Sequence, residues 1–356
     1  MRLALTHAYS WPEVRRGAER IIRELSLALA ERGHTVTVLT AGKPIGRQKE
    51  DGVTTMRLPR LSQDAVRHEK LFGLALAPII AAGRYDAVHS MGPTDCLAAI
   101  RAQRLGRHRT VYTQLGLPFK WAWADNPHRA AHERVVRDVD VYGGMSRYAV
   151  NALAEDYGRQ GDLTPGGVNL QQFVPAAARE PVPTILFSGA VYEPRKGADT
   201  LLAALPRVAE VEPDVQLWLS GPGDATELLN NAPAGARERT TVLPLGDPEG
   251  QAERYGRAWV TALPSKWDSF GMVLVESLAC GTPIVPSTHS ALPELVTPGV
   301  TGALCEPDDV ESLTAALIDA IALTRKPGTT DACRDSAAPY DWLTGLAPAF
   351  EKFYEG

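Results

Sequence analysis

Cysteine is scarce in this sequence, and nothing groups it for a structural task. Cys96, Cys280, Cys305 and Cys333 form no Cys-x-x-Cys pair, and none has a second Cys or His at zinc-ligand spacing. A disulfide framework and a structural zinc are therefore not expected, and reduced, buried thiols fit a cytoplasmic protein. Long apolar runs are also missing. The longest uncharged one, about Leu71 to Gly83, is interrupted by Gly73 and Pro78, whereas a bilayer span needs roughly 20 apolar residues. The start, Met1-Arg2-Leu3-Ala4-Leu5-Thr6-His7, turns polar too soon for a secretory signal and reads as a first strand. Positive charge is not in excess: 37 Lys and Arg stand against 42 Asp and Glu, a net charge of -5. A general nucleic-acid partner is not expected from that balance. Lysine itself is rare, 8 of the 37 basic residues, and with the abundance of alanine this points to a high-GC bacterial source.

What is present is ordinary globular material. The chain has 356 residues, 44% hydrophobic and 22% charged, which at roughly 150 residues per domain suggests two domains. Arg2–Thr6, a loop to Gly17, helical spacing of Ala18, Ile21, Ile22, Leu25, Ala28 and Leu29, a stop at Gly33 and the run Thr35–Thr40 make one strand–helix–strand unit. Val53–Leu58, Ala87–Ser90, Thr110–Thr113 and Val139–Met145 continue the strands, with helices at Asp95–Leu105 and Arg129–Asp138. Residues 161–183 carry Pro165, Pro175, Pro181 and Pro183 and read as a linker. Strands restart at Thr184–Ser188, Gln216–Ser220, Thr241–Leu243, Trp259–Leu263 and Pro283–Val285, with helices at Phe270–Ala279 and Val310–Leu323. Trp342, Leu346, Phe350 and Tyr354 at four-residue spacing give a closing helix with one apolar face. The expected fold class is α/β, with ligands at loops that follow strands in both halves.

The most informative stretch is Pro264 to Pro283. A strand ends, a short loop carries Asp268, and Gly271 opens a helix that carries Glu276 eight positions later. A helix N-terminus offers free N–H groups and the positive end of the dipole to a diphosphate, and a carboxylate beside it accepts sugar or ribose hydroxyls. On periodicity alone, a capped amphipathic helix reads equally well.

The string itself resembles the C-terminal signature of retaining GT-B glycosyltransferases of the family 4 type. Asp268, Ser269-Phe270-Gly271, Glu276, Ala279, Gly281 and Pro283 carry the match. Phe187-Ser188-Gly189 through Glu193-Pro194-Arg195-Lys196-Gly197 resembles the loop after the family's first donor-domain strand. Gly166-Gly167-Val168-Asn169 with Phe173 and Pro175, the Gly221-Pro222-Gly223 turn and the segment around Glu294 resemble further landmarks. The resemblance implies two Rossmann-like domains facing a cleft. Residues 1–170 with the closing segment 341–356 would form the acceptor side, and 171–340 the nucleotide-sugar donor domain. It implies a nucleotide-diphosphate sugar donor, a small-molecule or envelope-precursor acceptor, front-face substitution with retained configuration, and no cofactor or metal.

By match, Lys196 and Asp268 are the catalytic candidates, Lys196 on the diphosphate and Asp268 on the transferred sugar. Glu276 would hold the ribose. Gly189, Arg195, Ser269, Phe270, Gly271, Met272 and Val273 complete the donor side, and Gly17 approaches from the other domain. His89, Gln114 and Trp121 are acceptor-side candidates. Arg15, Arg16, Arg20 and Arg23 form a short basic cluster interleaved with Glu19 and Glu24, so a membrane role is a minor reading. Glu19 and Arg20 read equally as an exposed helix face.

Four positions depart from the pattern. Ala190 stands where the family has a phosphate-binding Arg, Arg16 where it has the first Gly of a pair, and Asp268 where Glu is usual. Thr113-Gln114-Leu115-Gly116 lacks the His of the acceptor-side turn. These losses keep two other readings open: a nucleotide-sugar epimerase-like enzyme, and a glycosyltransferase-like subunit that binds donor with little turnover.

Overall fold

The computed structural model describes all residues except Arg15, Leu245, Asp247 and Gly356, together with the side chains of Pro248 and Glu249. The chain divides into two compact units, residues 1–167 with 342–356, and residues 168–341.

The first unit is an eight-stranded sheet with helices on its faces. Its strands are β1 (Arg2–Thr6), β2 (Thr35–Ala41), β3 (Gly46–Glu50), β4 (Val53–Leu58), β5 (Ala87–Ser90), β6 (Arg109–Gln114), β7 (Val141–Gly144) and β8 (Asp162–Leu163). The order is β3-β4-β2-β1-β5-β6-β7-β8. Every pairing is parallel except β3 with β4. The chain winds outward from β1 to β4, then returns to the other side of β1 with β5. That reversal leaves an opening at the carboxyl end of β1.

The buried strand β1 is Leu3-Ala4-Leu5-Thr6 on its inner stretch, and Phe72, Leu76 and Ile80 of the Ala65–Gly83 helix pack over one core. The strand β3 escapes hydropathy reading because all five of its residues are exposed. Its signal was the two-residue turn Asp51-Gly52, both at positive φ (47° and 80°), between the paired residues Glu50 and Val53. A turn of that handedness matches the twist of a hairpin and needs Asp-Gly or Asn-Gly chemistry.

The second unit has β9 (Thr184–Ser188), β10 (Gln216–Ser220), β11 (Thr240–Leu243), β12 (Val260–Leu263) and β13 (Ile284–Pro286), all parallel, in the order β11-β10-β9-β12-β13. Phe187, Leu201, Leu205, Leu217, Leu317 and Ile321 sit in its core. The winding reverses between β9 and β12, again at the sheet centre. The unit's ends are tied together. Val168 pairs with Asp341 in a parallel bridge, the Val168 N–H donates to Tyr340 O at 2.9 Å, and the Leu170 N–H donates to Asp341 Oδ1 at 3.1 Å. That tie sets the unit's limits at Val168 and Asp341. Residues 161–183 are not linker throughout, since Asp162–Leu163 extends the first unit's sheet as β8.

The closing segment belongs to the first unit. It is a π turn, Trp342–Leu346, followed by the helix Ala347–Glu355. Phe350 and Tyr354 are buried, and Glu351 accepts from Arg32 (2.6 and 2.8 Å) and lies 2.7 Å from His34 Nε2. The hydrogen bond from Arg32 outweighs burial and, with His34, holds the Glu351 carboxyl at about 2, below its ordinary 4.5. A carboxyl with a lowered folded-state pKa contributes its stability above the unfolded value and loses it as pH falls through the folded one. Glu351→Gln should therefore lower the unfolding temperature at pH 7. The gap to wild type should shrink as pH falls from about 4.5 toward about 2. A gap that stays constant across that range, followed by circular dichroism, would show that the ion pair is not its source. Among the described residues no helix is long and apolar enough to cross a membrane.

Candidate active site

Two loops at the carboxyl ends of β9 and β12 are drawn together by close backbone packing. Gly189 follows β9 and donates its N–H to Ser220 O at 2.9 Å. Gly221, after β10, lies so close to the Gly189 carbonyl that any side chain there would overlap it. The β9 loop then makes a short turn, Pro194–Lys196, and ends at Gly197 with φ +74°; a Cβ there would stand 2.5 Å from Pro264 O. Only glycine allows both that dihedral and that approach. The Lys266 N–H closes the contact by donating to Arg195 O at 2.8 Å.

This packing places the side chains of both loops in one cluster. Lys196 Nζ is 2.6 Å from Asp268 Oδ2. Arg195 lies over the Trp267 ring, 4.4 Å from its centroid, donates to Trp267 O at 3.2 Å and pairs with Glu193 at 2.6 Å. Its Nη1 is 3.9 Å from the same Asp268 Oδ2. The Asp268 backbone is held in turn, its N–H donating to Ser290 Oγ at 2.9 Å.

The helix that follows runs from Met272 to Ala279, two residues later than Phe270, where its start was expected. Phe270 is buried against Tyr340, with ring centroids 5.5 Å apart, and Gly271 has φ +94°, outside helical geometry. The helix therefore begins with the N–H groups of Met272 and Val273 facing outward along its axis, unsatisfied within the helix. Glu276 sits in this apolar helix at 1% exposure. Ser277 behind it donates to Thr261 Oγ1 at 2.7 Å and ties the helix to β12.

In the first unit, the carboxyl end of β1 gathers a second cluster. Tyr9 is flanked by Arg16 and Arg60, with guanidinium carbons 5.1 and 5.4 Å from its ring centroid. Glu69 lies 2.7 Å from His128 Nε2. Burial, reinforced by the Glu69 charge and hydrogen bond, pushes the Tyr9 hydroxyl up. Glu19 is buried, not on an exposed face as one reading had it. It accepts from Arg16 at 3.1 Å and lies 3.4 Å from His7. Burial pushes its carboxyl up, but His7 and Arg16 outweigh that and hold it below the usual range. Gly17 is the exposed first residue of the Gly17–Glu31 helix. Arg15 lies outside the described residues.

Known proteins resemble this chain along most of its length. The description "Glycosyltransferase Family 4" matches residues 15–172, and "Glycosyl transferases group 1" matches residues 182–322. A phosphatidyl-myo-inositol mannosyltransferase of Mycobacterium tuberculosis is 30% identical, covering 90% of this chain and 86% of its own. The chain belongs to the group 1, family 4 glycosyltransferases. A GDP-mannose-dependent alpha-(1-6)-phosphatidylinositol monomannoside mannosyltransferase of Mycolicibacterium smegmatis is also 30% identical, covering 77% of this chain and 74% of its own. Among solved structures, sucrose-phosphate synthase from Thermosynechococcus elongatus superposes with a TM-score of 0.81 at 22% identity, over 99% of this chain and 98% of its own. The fold is thus GT-B, and the chain is a nucleotide-sugar-dependent glycosyltransferase.

In this glycosyltransferase the donor-side candidates Gly189, Arg195, Lys196, Asp268, Ser269, Phe270, Gly271, Met272, Val273 and Glu276 all lie on the two adjoining loops and the helix after them. Phe270 and Glu276 are buried there, whereas Arg195, Lys196 and Asp268 keep part of their surface. The acceptor-side candidates fare differently. His89 is a core residue, not a groove residue: it is 1% exposed, its Nδ1 is 2.9 Å from Tyr354 Oη and its Nε2 2.8 Å from Thr113 Oγ1. Burial pushes its pKa down to about 3, so it stays neutral. Gln114 also turns inward, its Oε1 accepting from Tyr112 Oη at 2.7 Å. Trp121 is 72% exposed and stacks on Phe119 at 5.6 Å. The Tyr9, Arg60, Glu69 and His128 group was missed because its members come from four separate segments with no shared spacing.

Proposed function

We propose that this glycosyltransferase moves a hexose from a nucleotide-diphosphate sugar bound in residues 168–341, with the anomeric configuration retained. The observation that carries the reading is Glu276, a carboxylate buried in the apolar helix that follows the loop carrying Asp268, which pairs with Lys196. Burying a carboxylate is costly unless it is hydrogen-bonded, and the hydroxyls of a bound nucleotide are donors of the right chemistry. At that depth it accepts the two ribose hydroxyls of a nucleotide. The diphosphate then falls between Lys196 and the free N–H groups of Met272 and Val273, where the helix dipole adds to the ammonium charge. Asp268 accepts hydroxyls of the sugar.

The chemistry follows from that placement. The bond from the anomeric carbon to the phosphate oxygen breaks, and the acceptor oxygen bonds to the same face. The departing phosphate oxygen takes the acceptor's proton. Lys196, Arg195 and the helix terminus stabilise the charge that develops there. No protein base is required, which accommodates the missing acceptor-side His, and the same cations make a metal unnecessary. Relatives named as mannosyltransferases of phosphatidylinositol make GDP-mannose the first donor to test and an inositol-headgroup lipid the first acceptor. Such an acceptor belongs to the envelope-precursor class and would be met from the cytoplasm.

Thermal shift with GDP, UDP, ADP and dTDP identifies the donor base, because a nucleotide that binds the folded state raises its unfolding temperature. Proton NMR of the first glycoside, recorded before mutarotation, should show the donor's own anomeric configuration, and turnover should persist in EDTA. An inverted product would remove the front-face mechanism. An epimerised nucleotide sugar formed from donor alone would favour the epimerase instead.

A further inference from the structure

We infer that Asp268 is a counter-ion that weights the donor site toward the sugar-loaded nucleotide and against the bare nucleoside diphosphate. The inference rests on the donor-site reading above and adds a specificity role to it. Lys196 Nζ lies 2.6 Å from Asp268 Oδ2, and Arg195 Nη1 lies 3.9 Å from the same oxygen. The two cations beside the diphosphate position thus converge on one carboxylate oxygen. Neither loop is free to separate them. Arg195 is fixed by Trp267 and Glu193, and the Asp268 backbone by Ser290. The side chains of Lys196 and Asp268 are only 16% and 15% exposed, so water screens the pair incompletely.

A diphosphate arriving at Lys196 therefore meets a carboxylate already there. A bare nucleoside diphosphate must share the ammonium and bear the repulsion of a like charge a few ångströms away. A nucleotide sugar brings hydroxyl donors as well. The Asp268 carboxylate turns to them and forms charge-assisted hydrogen bonds that replace the one it gives up. The negative charge at 268 thus opposes the product nucleotide and not the donor. Once the sugar has left, the carboxylate returns to Lys196 and favours release of the diphosphate.

Calorimetry on the full chain tests this with GDP, UDP, GDP-mannose and UDP-glucose. Asp268→Asn keeps the shape and removes the charge, and Asp268→Ala removes the same charge by another route. Unfolding temperature in plain buffer checks both variants. The expected result is that either variant binds the bare diphosphate about tenfold tighter than wild type or more, tenfold being near the weight of one like charge a few ångströms away under close to water-like screening. The matching nucleotide sugar should bind no tighter than to wild type. If the bare diphosphate binds no tighter, or if diphosphate and nucleotide sugar gain equally, Asp268 does not discriminate between them. If the wild-type chain binds none of these and neither ADP nor dTDP, the donor-site reading itself falls, and this inference with it.

Discussion

Replacing Lys196 with alanine should lower kcat/KM by roughly a hundredfold or more, with the fold intact. The size follows from loss of a preorganised charge at a developing oxyanion, worth on the order of 2.7–4 kcal/mol in a water-poor site. The geometry makes Lys196 hard to replace. Its loop is pinned to the β12 loop through Gly197 and Pro264, so its ammonium is held in place before substrate arrives. Ala190 stands where the family resemblance would place a second phosphate-binding cation, and its side chain has no donor to offer. Arg195, whose guanidinium also reaches the Asp268 carboxylate, is committed to Trp267 and Glu193. Arg195→Ala should thus cost less than Lys196→Ala, and Ala190→Arg should not reproduce the loss. The measurement is steady-state kinetics beside an unchanged unfolding temperature. Near-full turnover in Lys196→Ala with none in Arg195→Ala would place the phosphates on Arg195 instead.

Glu276→Ala should weaken binding of the free nucleoside diphosphate by roughly tenfold to a hundredfold, the range for hydrogen bonds to a charged acceptor. The ribose is part of every donor and of the product, so the loss should appear in calorimetry with GDP or UDP alone. Asp268→Ala should show no such loss, because the sugar it would hold is absent from the titrant. Glu276→Gln separates contact from packing, since it keeps the volume of a side chain that is 1% exposed. Equal losses in the 268 and 276 alanine variants would sink the assignment of one carboxylate to ribose and the other to sugar.

Several elements were legible because their signals are local. The strands Thr184–Ser188 and Gln216–Ser220 and the helix Arg129–Asp138 have the same limits in the structure as in the sequence reading. Each is an apolar or amphipathic run with a turn or cap beside it, and backbone hydrogen bonding follows such runs directly. The donor segment was readable for a related reason. Asp268, Gly271 and Glu276 belong to one strand–loop–helix stretch, so chain connectivity alone brings them near each other.

What lay outside that reach depends on contacts between distant segments. The hairpin strand β3 has no apolar residue to betray it and exists because β4 offers an edge. His89 and Glu19 carry polar side chains that hydropathy assigns to surfaces. The core accepts them because Tyr354 and Thr113 satisfy both ring nitrogens of His89, while Arg16 and His7 converge on Oε1 of Glu19. By itself, the sequence determined the two α/β halves, the family and the loops on which we propose the donor chemistry is carried. The tertiary structure decided which of those side chains are buried and which meet, above all that Lys196 and Asp268, 72 residues apart in the chain, share one ion pair. Charge pairing is set by distance in space, and the pairing of β9 with β12, the close packing of Gly197 against Pro264 and the Lys266–Arg195 backbone bond bring that distance down to 2.6 Å.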